Sequence, residues 1–352
     1  MSYSISDIAK KANVSTTTVS RVMNNSGYVS PEHRQEIMKV AEELGYQPKK
    51  YKKRQTTNSS NNIIGVIVPD VKNSYFTGII RGIEAVAHSK GFDTLICDSE
   101  EDPGKEVRCL SALHNCKVSG IIIAVASDIV EYNVDYIKNI HDCNIPVVLL
   151  DRDLRIPGID SVAMDNLKGA KSAVDVLIEN GHTEIAILSG PTTSRTGIDR
   201  LNGYMESLRE NGIEIKEEYI GYGDFRPESG YALTKKLLTN HRKITAIFSS
   251  NQRMTLGCLQ ALNELKMKVP DDIALFSFGI SDTLATLNTN ISHIYQPTPP
   301  VGEECARILF SKIEMGKKYK KLPRKQTIFA MEQYLLGSEK YPANRLNTSN
   351  KF

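Results

Sequence analysis

The sequence lacks the features that mark secreted, membrane and metal-binding proteins. Its six cysteines are scattered, and no two have the two-residue gap of a zinc or redox site, so reduced core thiols are expected. No apolar run approaches the roughly 18 residues that span a membrane. The first residues form no apolar signal core. A cytoplasmic protein is therefore expected.

Sequence signatures of catalysis are also missing. There is no glycine-rich phosphate loop, no nucleophile elbow and no paired histidine and aspartate spacing for a metal. The seven histidines are dispersed, and His182 follows a glycine ahead of an apolar run, where packing or capping is the expected role. The sequence thus predicts neither an enzyme nor a bound cofactor.

Charge is distributed unevenly along the chain of 352 residues. The 40% hydrophobic and 24% charged contents are typical of a globular protein, and the length suggests two or three domains. The net charge is only +3, yet ten basic and five acidic residues lie within positions 1–60, which leaves the remainder slightly acidic. A basic segment on such a body indicates a phosphate-binding module attached to a second part.

Three short helices are predicted before a polar linker. A capping box at residues 4–7 begins the first, and the second runs from about Thr16 to Met23 after a tight turn. Ser30 and Pro31 begin the third helix, which ends at Gly45. The side chains predicted to face inward are Ile8, Ala9, Ala12, Val19, Val22, Met23, Ile37, Val40, Ala41 and Leu44.

Two short helices joined by a three-residue turn, with a third bracing them, form a helix-turn-helix, whose second helix enters the major groove of DNA. The outward side chains of that helix are Thr16, Thr17, Ser20 and Arg21. Short hydroxyls and one guanidinium suit base edges and phosphates. Periodicity alone also allows a three-helix bundle with no role in DNA binding.

Particular residues favour the DNA-binding interpretation. Residues 5–15 read ISDIAKKANVS, residues 18–24 read TVSRVMN, and residues 44–48 read LGYQP, with Val29-Ser30 and Arg34 between them. This ordered set resembles the headpiece of the LacI/GalR family of bacterial transcription regulators. The resemblance implies a sequence-specific regulator of transcription, with a repressor expected.

The resemblance also implies roles for individual residues of the headpiece. Thr16, Thr17 and Arg21 would read bases. The residues that would hold phosphates or the local fold are Ser15, Thr18, Ser20, Asn24 and Arg34. Because one headpiece reads only half of a palindromic operator, a homodimer on double-stranded DNA is expected.

The linker departs from the family pattern. Relatives follow the Tyr-x-Pro with Asn and then Ala-Arg-x-Leu, whose leucine wedges into the minor groove and kinks the operator. The aligned positions here are Lys49, Lys52, Lys53 and Gln55. We expect the three lysines to bind phosphates electrostatically, with steep salt dependence and little kinking. An unstructured, solvated charge run is an equal alternative.

After the linker, apolar runs alternate with helical patterns. The predicted strands are Ile63–Val68, Thr94–Cys97, Gly120–Val125, Val147–Leu150, Ile185–Leu188, Ala246–Phe248 and Ile273–Phe276, and the predicted helices include Gly78–His88, Asn166–Asn180 and Gln252–Leu265. Strands buried on both faces, with crossover helices, predict parallel sheets. Each strand is followed by small polar or charged residues, as a polar ligand such as a sugar requires at the carboxyl ends of strands.

By resemblance, this body consists of two α/β lobes of the periplasmic-binding-protein type, which close on an effector. Three chain crossings between lobes are expected near 162–164, 290–293 and 325–328. The predicted regions are a headpiece at 1–47, a linker at 48–62, a body at 63–340 with lobes of 63–162 plus 293–325 and 164–290 plus 328–340, and a tail at 341–352. The effector contacts implied are Asn73, Phe76, Asp151, Ser194, Thr196, Arg200, Phe225 and Asn251.

Two departures bear on the effector. The family's strand-end Gly-Phe-Asp-Asp is Ser277-Phe278-Gly279-Ile280 here, and the Asp that commonly follows the aligned Asn251 is Gln252. Fewer acidic acceptors beside a retained Arg200 favour an anionic effector, such as a sugar acid or sugar phosphate, although Asp151 and Ser277 could still accept hydrogen bonds.

Two alternatives for the body remain open at this stage. A regulator could respond to a partner protein instead of a small molecule. A solute-binding protein shares the body fold but would need an export signal and has no use for the headpiece. The tail after Gly337 has no apolar heptads, so a helical tetramerisation segment is not expected.

Overall fold

A computed structural model of the protein describes residues 5–23, 29–44, 62–128, 133–280, 284, 286 and 289–342. The contacts divide it into an N-terminal helical unit within residues 1–59 and an α/β unit within residues 60–352. No helix in the described ranges is both long and apolar enough to cross a membrane.

The N-terminal unit contains the three predicted helices, α1 (Ile5–Lys11), α2 (Thr16–Met23) and α3 (Pro31–Glu43). The amide of Thr18 donates to the Ser15 hydroxyl at 3.0 Å, and the His33 amide donates to that of Ser30 at 3.3 Å. These serines cap α2 and α3. The core consists of Ile8, Ala9, Ala12, Val19, Val22, Ile37, Val40 and Ala41, with Leu44 packed at its edge. The helical periodicity is therefore confirmed for the inward residues whose side chains are described.

The α/β unit contains two six-stranded sheets. The first sheet consists of β1 (Ile63–Val68), β2 (Asp93–Asp98), β3 (Ile121–Ile123), β4 (Val147–Leu150), β5 (Asp160–Met164) and β11 (Gln326–Phe329). Its order is β11-β5-β4-β3-β1-β2, and all neighbours are parallel. It is flanked by α4 (Ser74–Ser89), α5 (Pro103–Asn115), α6 (Val134–Asp142) and α11 (Thr298–Met315).

The second sheet consists of β6 (Ile185–Ser189), β7 (Ile220–Tyr222), β8 (Ala246–Ser249), β9 (Ala274–Phe278), β10 (Ser292–Tyr295) and β12 (Glu332–Tyr334). Its order is β12-β10-β9-β8-β6-β7, with only β12 antiparallel to its neighbour. It is flanked by α7 (Asn166–Glu179), α8 (Arg195–Glu210), α9 (Pro227–Asn240) and α10 (Gln252–Glu264). The fold class predicted from the sequence is confirmed.

The chain crosses between the lobes at three places, and each lies later than predicted. The first crossing follows β5, which belongs to the first sheet, so it lies at residue 165 and not at 162–164. The second follows β10, which still belongs to the second sheet, so it lies at 296–297 and not at 290–293. The third follows β11, which belongs to the first sheet, so it lies at 330–331 and not at 325–328. The predicted crossings cut through β5, β10 and β11, each of which pairs within a single sheet.

The seven predicted strands are present, and five others were missed. Four of those five, β5, β10, β11 and β12, adjoin the three crossings, and the fifth, β7, has only three residues. Strand β2 departs from the expected double burial. It forms an edge of the first sheet and exposes Leu95 and Ile96 by 38% and 43%.

Candidate functional site

The DNA-reading helix expected from the sequence presents a short polar face. Thr16, Thr17 and Arg21 are exposed. The hydroxyls of Ser15 and Thr18 bond each other at 2.8 Å, which ties them to the helix start. Ser20 and Arg34 are half-buried, and the amide of Arg34 donates to Ser30 at 2.9 Å. The geometry leaves Thr16, Thr17 and Arg21 facing outward; Asn24, Lys49, Lys52 and Lys53 lie outside the described residues.

A cavity of about 460 Å³ lies between the two lobes of the body, at the carboxyl ends of their strands. Seven of the eight predicted effector residues line it: Asn73, Phe76, Asp151, Thr196, Arg200, Phe225 and Asn251. The exception is Ser194, which is buried behind the wall and bonds the Thr196 hydroxyl at 2.6 Å. The structure therefore brings together most of the residues that the family resemblance implied.

Arg200 is the only buried cation of the second lobe's described wall, and it projects from α8. Its Nε donates to Asn166 Oδ1 at 2.9 Å and its Nη1 to the Ser250 carbonyl at 2.7 Å. The guanidinium carbon lies 3.9 Å from the ring centre of Phe278. No described carboxylate is within ion-pair distance of it. Burial lowers the pKa of Arg200 to about 10, so it remains charged at neutral pH.

Asp151 faces the cavity from the end of β4 in the first lobe. The Tyr75 hydroxyl donates to its Oδ1 at 2.6 Å. Burial and then the charge of Asp151 raise the pKa of Tyr75, so the phenol stays a hydrogen-bond donor. Asp151 has a φ of 64°, a left-handed conformation that aspartate tolerates better than most residues. The cavity thus contains a carboxylate that accepts from a phenol and a buried cation that has no described carboxylate within ion-pair distance.

Phe225 forms an aromatic wall of the cavity, and its loop is held by Asn251. The Asn251 Nδ2 donates to the Phe225 carbonyl at 3.0 Å, while Oδ1 accepts from the Met254 amide at 2.8 Å. A Cβ at Gly190 would lie 2.2 Å from the Phe225 ring, so the ring requires a glycine there. Phe225 itself has a φ of 65°, which is rare for a bulky side chain and typical of strain at functional sites.

The lobes are bridged directly at the cavity. Gln252 Nε2 donates to Asn73 Oδ1 at 2.7 Å and to the Ser74 hydroxyl at 2.9 Å, and Arg253 pairs with Asp70. Asn73 Oδ1 also accepts from the Tyr75 amide. The Gln252 side chain therefore contacts the opposite lobe.

A second bridge lies beside a smaller cavity of about 250 Å³. Arg195 is the first residue of α8, and its amide donates to the Asp128 carboxylate of the first lobe at 2.8 Å. Burial raises the pKa of Asp128. Ser194, the residue before α8, makes no side-chain cap of its own. The helix that carries Arg200 is thus capped by a carboxylate from the other lobe.

Sequence reasoning missed several residues of the cavity wall. These are Asp70, Tyr75, Glu101, Arg152, Arg253, Phe278 and Gln296, among others. Asp70 and Arg152 were within the polar strand ends, which was the available signal. Ser277, considered as an acceptor, is buried and donates to the Gly279 carbonyl at 2.6 Å, so it does not face the cavity.

Comparisons with known proteins agree with both units. Residues 4–49 match the model of bacterial regulatory proteins of the lacI family, and residues 64–318 match that of a periplasmic binding protein domain. The HTH-type transcriptional repressor PurR of Klebsiella pneumoniae is 31% identical over 311 residues, which cover 88% of this chain and 90% of that protein. The HTH-type transcriptional regulator DegA of Bacillus subtilis is 32% identical, over 86% of this chain and 89% of the other.

A solved structure shows the same architecture. The transcriptional regulator CelR in complex with cellobiose aligns with a TM-score of 0.73 and 26% identity, over 96% of this chain and 99% of that one. These relatives are transcription regulators, and the two matched regions cover most of the chain. The chain therefore belongs to the lacI family of bacterial regulatory proteins, as a DNA-binding transcriptional repressor that responds to an effector.

Proposed function

We propose that this repressor binds a small, carbohydrate-derived anion in the cavity between its lobes. The observation that carries the proposal is Arg200, a buried cation with no described carboxylate in ion-pair distance. A buried charge is costly unless it is paired, so an anionic ligand would supply the missing partner. A carboxylate or phosphate group suits the planar guanidinium fork.

The other residues of the cavity wall suit a sugar ring. Phe225 and Phe76 offer flat apolar faces on which a sugar ring can stack. Asp151, already oriented by Tyr75, would accept hydrogen bonds from sugar hydroxyls. The similar CelR structure contains cellobiose, which supports the carbohydrate class for the same fold. Sugar acids and sugar phosphates satisfy both sets of groups.

The mechanism follows from linkage between the cleft and the headpieces. An effector that contacts both lobes favours one lobe arrangement over another and so changes how two headpieces match a palindromic operator in the cytoplasm. A coupling of about 1–3 kcal/mol, or roughly 5- to 150-fold in operator affinity, is sufficient. Thr16, Thr17 and Arg21 would read bases there, while Lys49, Lys52 and Lys53 would hold phosphates.

The test is a thermal-shift screen of the full chain, followed by calorimetric titration of the hits. The matched ligands are neutral hexoses and pentoses, their uronic and aldonic acids, and their phosphates. We expect binding of an anionic member and at least tenfold weaker binding of its neutral parent. Tight binding of a neutral sugar alone would contradict the anionic class. No hit in either set would favour a protein co-signal and overturn the small-molecule proposal.

We infer that the functional unit is a homodimer joined through the sheet edges formed by β2 and β7. Leu95 and Ile96 on β2 and Tyr222 on β7 are exposed by 38%, 43% and 50%. Both strands end their sheets on the side away from the crossings. Apolar side chains on open strand edges favour association with another chain.

Leu95→Asp is expected to weaken the dimer. Burying a leucine stabilises by about 1.5–3 kcal/mol, so the dissociation constant should rise roughly 10- to 150-fold. Sedimentation velocity across a concentration series measures it. The matched control is Ile328→Asp, which changes an exposed apolar residue on β11, at the opposite edge of the same sheet. An equal effect of the two variants would contradict the assignment of β2.

A further inference from the structure

One short basic sequence occurs twice in the chain. Lys-Lys-Tyr-Lys-Lys is found at residues 49–53, in the linker after the DNA-reading headpiece, and again at residues 317–321, within the body. The first copy lies outside the described residues. The second is described in full and is separated from the first by most of the effector-binding unit.

In the second copy the tyrosine is an anchor and most lysines are free. Tyr319 is buried, packs edge-on against His141 with ring centres 5.2 Å apart, and donates to the His141 carbonyl at 3.3 Å. Lys317, Lys318 and Lys321 are exposed, and none of them forms an ion pair with a described residue. The anchored turn therefore presents to solvent positive charges that form no ion pair with a described residue.

Two more lysines extend this surface, whereas three other basic residues have partners and do not. Lys325 and Lys117 are also exposed, and they also form no ion pair within the described ranges. In contrast, Lys312 pairs with Asp160 at 3.1 Å, Arg324 pairs with Asp153, and Lys320 donates to the Asp142 carbonyl at 2.9 Å. We call the unpaired set the lysine face: Lys117, Lys317, Lys318, Lys321 and Lys325.

The parallel sheet determines where this face lies. Lys325 immediately precedes β11 and Lys117 closely precedes β3, so both are at the amino ends of strands. Since β11, β5, β4, β3 and β1 are all parallel, Ile63 at the start of β1 lies at the same end. That is where the chain enters the body from the headpiece. Four strand spacings of about 4.8 Å place β11 about 19 Å from β1.

We propose that the lysine face binds the phosphate backbone of DNA beside the bases that the headpiece reads. Lysine is a compact point charge on a flexible stem, which suits phosphate and carries no base specificity. The face lies at the end of the sheet where the chain enters the body, and this covalent connection to a DNA-reading unit favours DNA over other polyanions. It adds a sequence-independent grip from the effector-binding body itself, so movement of the first lobe would act on DNA directly.

The test compares two variants of the full chain with the same loss of charge. One carries Lys317→Gln, Lys318→Gln, Lys321→Gln and Lys325→Gln; the control carries Lys236→Gln, Arg242→Gln, Lys266→Gln and Lys268→Gln, four exposed bases of the second lobe. Both are titrated against a labelled 60-base-pair duplex of random sequence over a series of KCl concentrations. Thermal unfolding checks that both variants remain folded.

Each phosphate contact contributes about 0.9 to the slope of log K against log salt concentration, so the lysine-face variant should lose up to about 3.6 from that slope. At low salt its affinity should fall at least about tenfold relative to the control. Equal slopes for the two variants would overturn the proposal. Loss of binding to phosphatidylglycerol vesicles, with DNA binding equal to the control, would also overturn it and assign the face to a membrane surface.

Discussion

Arg200→Met is expected to weaken effector binding by roughly 10- to 150-fold, because a hydrogen bond to a charged group contributes about 1.5–3 kcal/mol. The side chain is the buried cation that the second lobe contributes to the described wall, and its guanidinium carbon lies 3.9 Å from the ring centre of Phe278. Methionine fills similar volume but supplies neither charge nor donor. The measurement is calorimetric titration with the ligand that the screen of sugar acids and sugar phosphates identifies.

Two further variants separate loss of binding from loss of folding. Arg200→Met leaves Asn166 and the Ser250 carbonyl without their donor, which costs about 1–3 kcal/mol of stability. Asn166→Ala removes one of these contacts but keeps the cation, so it should share part of the destabilisation and retain most of the affinity. Arg200→Lys keeps the charge without the planar fork and should be intermediate. If Asn166→Ala lost as much affinity as Arg200→Met, the ligand contact would be contradicted.

Arg21→Ala is expected to lower affinity for the selected operator by roughly 5- to 150-fold, since one good base contact is worth about 1–3 kcal/mol. Arg21 lies on the outward face of α2 and is exposed, so its removal leaves the headpiece core intact. The operator is obtained by selection from a random duplex pool with the unmodified chain. Fluorescence anisotropy then measures binding to the operator and to a scrambled duplex.

The control for Arg21 is Lys10→Ala, an exposed base on α1. A base-reading residue changes the ratio of operator to scrambled affinity, whereas a phosphate contact lowers both equally. We expect Arg21→Ala to reduce that ratio and Lys10→Ala to leave it within about twofold. A uniform loss for Arg21→Ala would assign it to the DNA backbone instead.

The headpiece could be predicted closely because its signals are local. Caps such as Ser30 and the apolar spacing of Val19 and Val22 specify each helix within a few residues of itself. Most of the seven predicted strands were predictable for a similar reason, since apolar runs such as Ile63–Val68 are buried on both faces. Strands β11 and β12 have mixed, exposed sequences, and only their partners make them strands.

The candidate site was predictable in composition and less so in its connections. Strand ends indicated a polar cavity, and the family resemblance selected seven residues that line it. The sequence did not reveal that Gln252 bonds to Asn73 and Ser74, because these residues lie far apart in the chain. Nor did the resemblance distinguish Thr196 from Ser194: both are buried at the start of α8, but only Thr196 lines the cavity.

The hydrogen bond from the Arg195 amide to the Asp128 carboxylate ties α8 of the second lobe to the first lobe. The Asp128 carboxylate of the first lobe caps the first turn of α8, and the second turn of the same helix presents Arg200 to the cavity. Separation of the lobes would leave the start of α8 without this cap, and α8 also holds the cavity-facing Arg200. Binding in the cavity and the arrangement of the lobes are therefore thermodynamically coupled. A change in one must shift the equilibrium of the other.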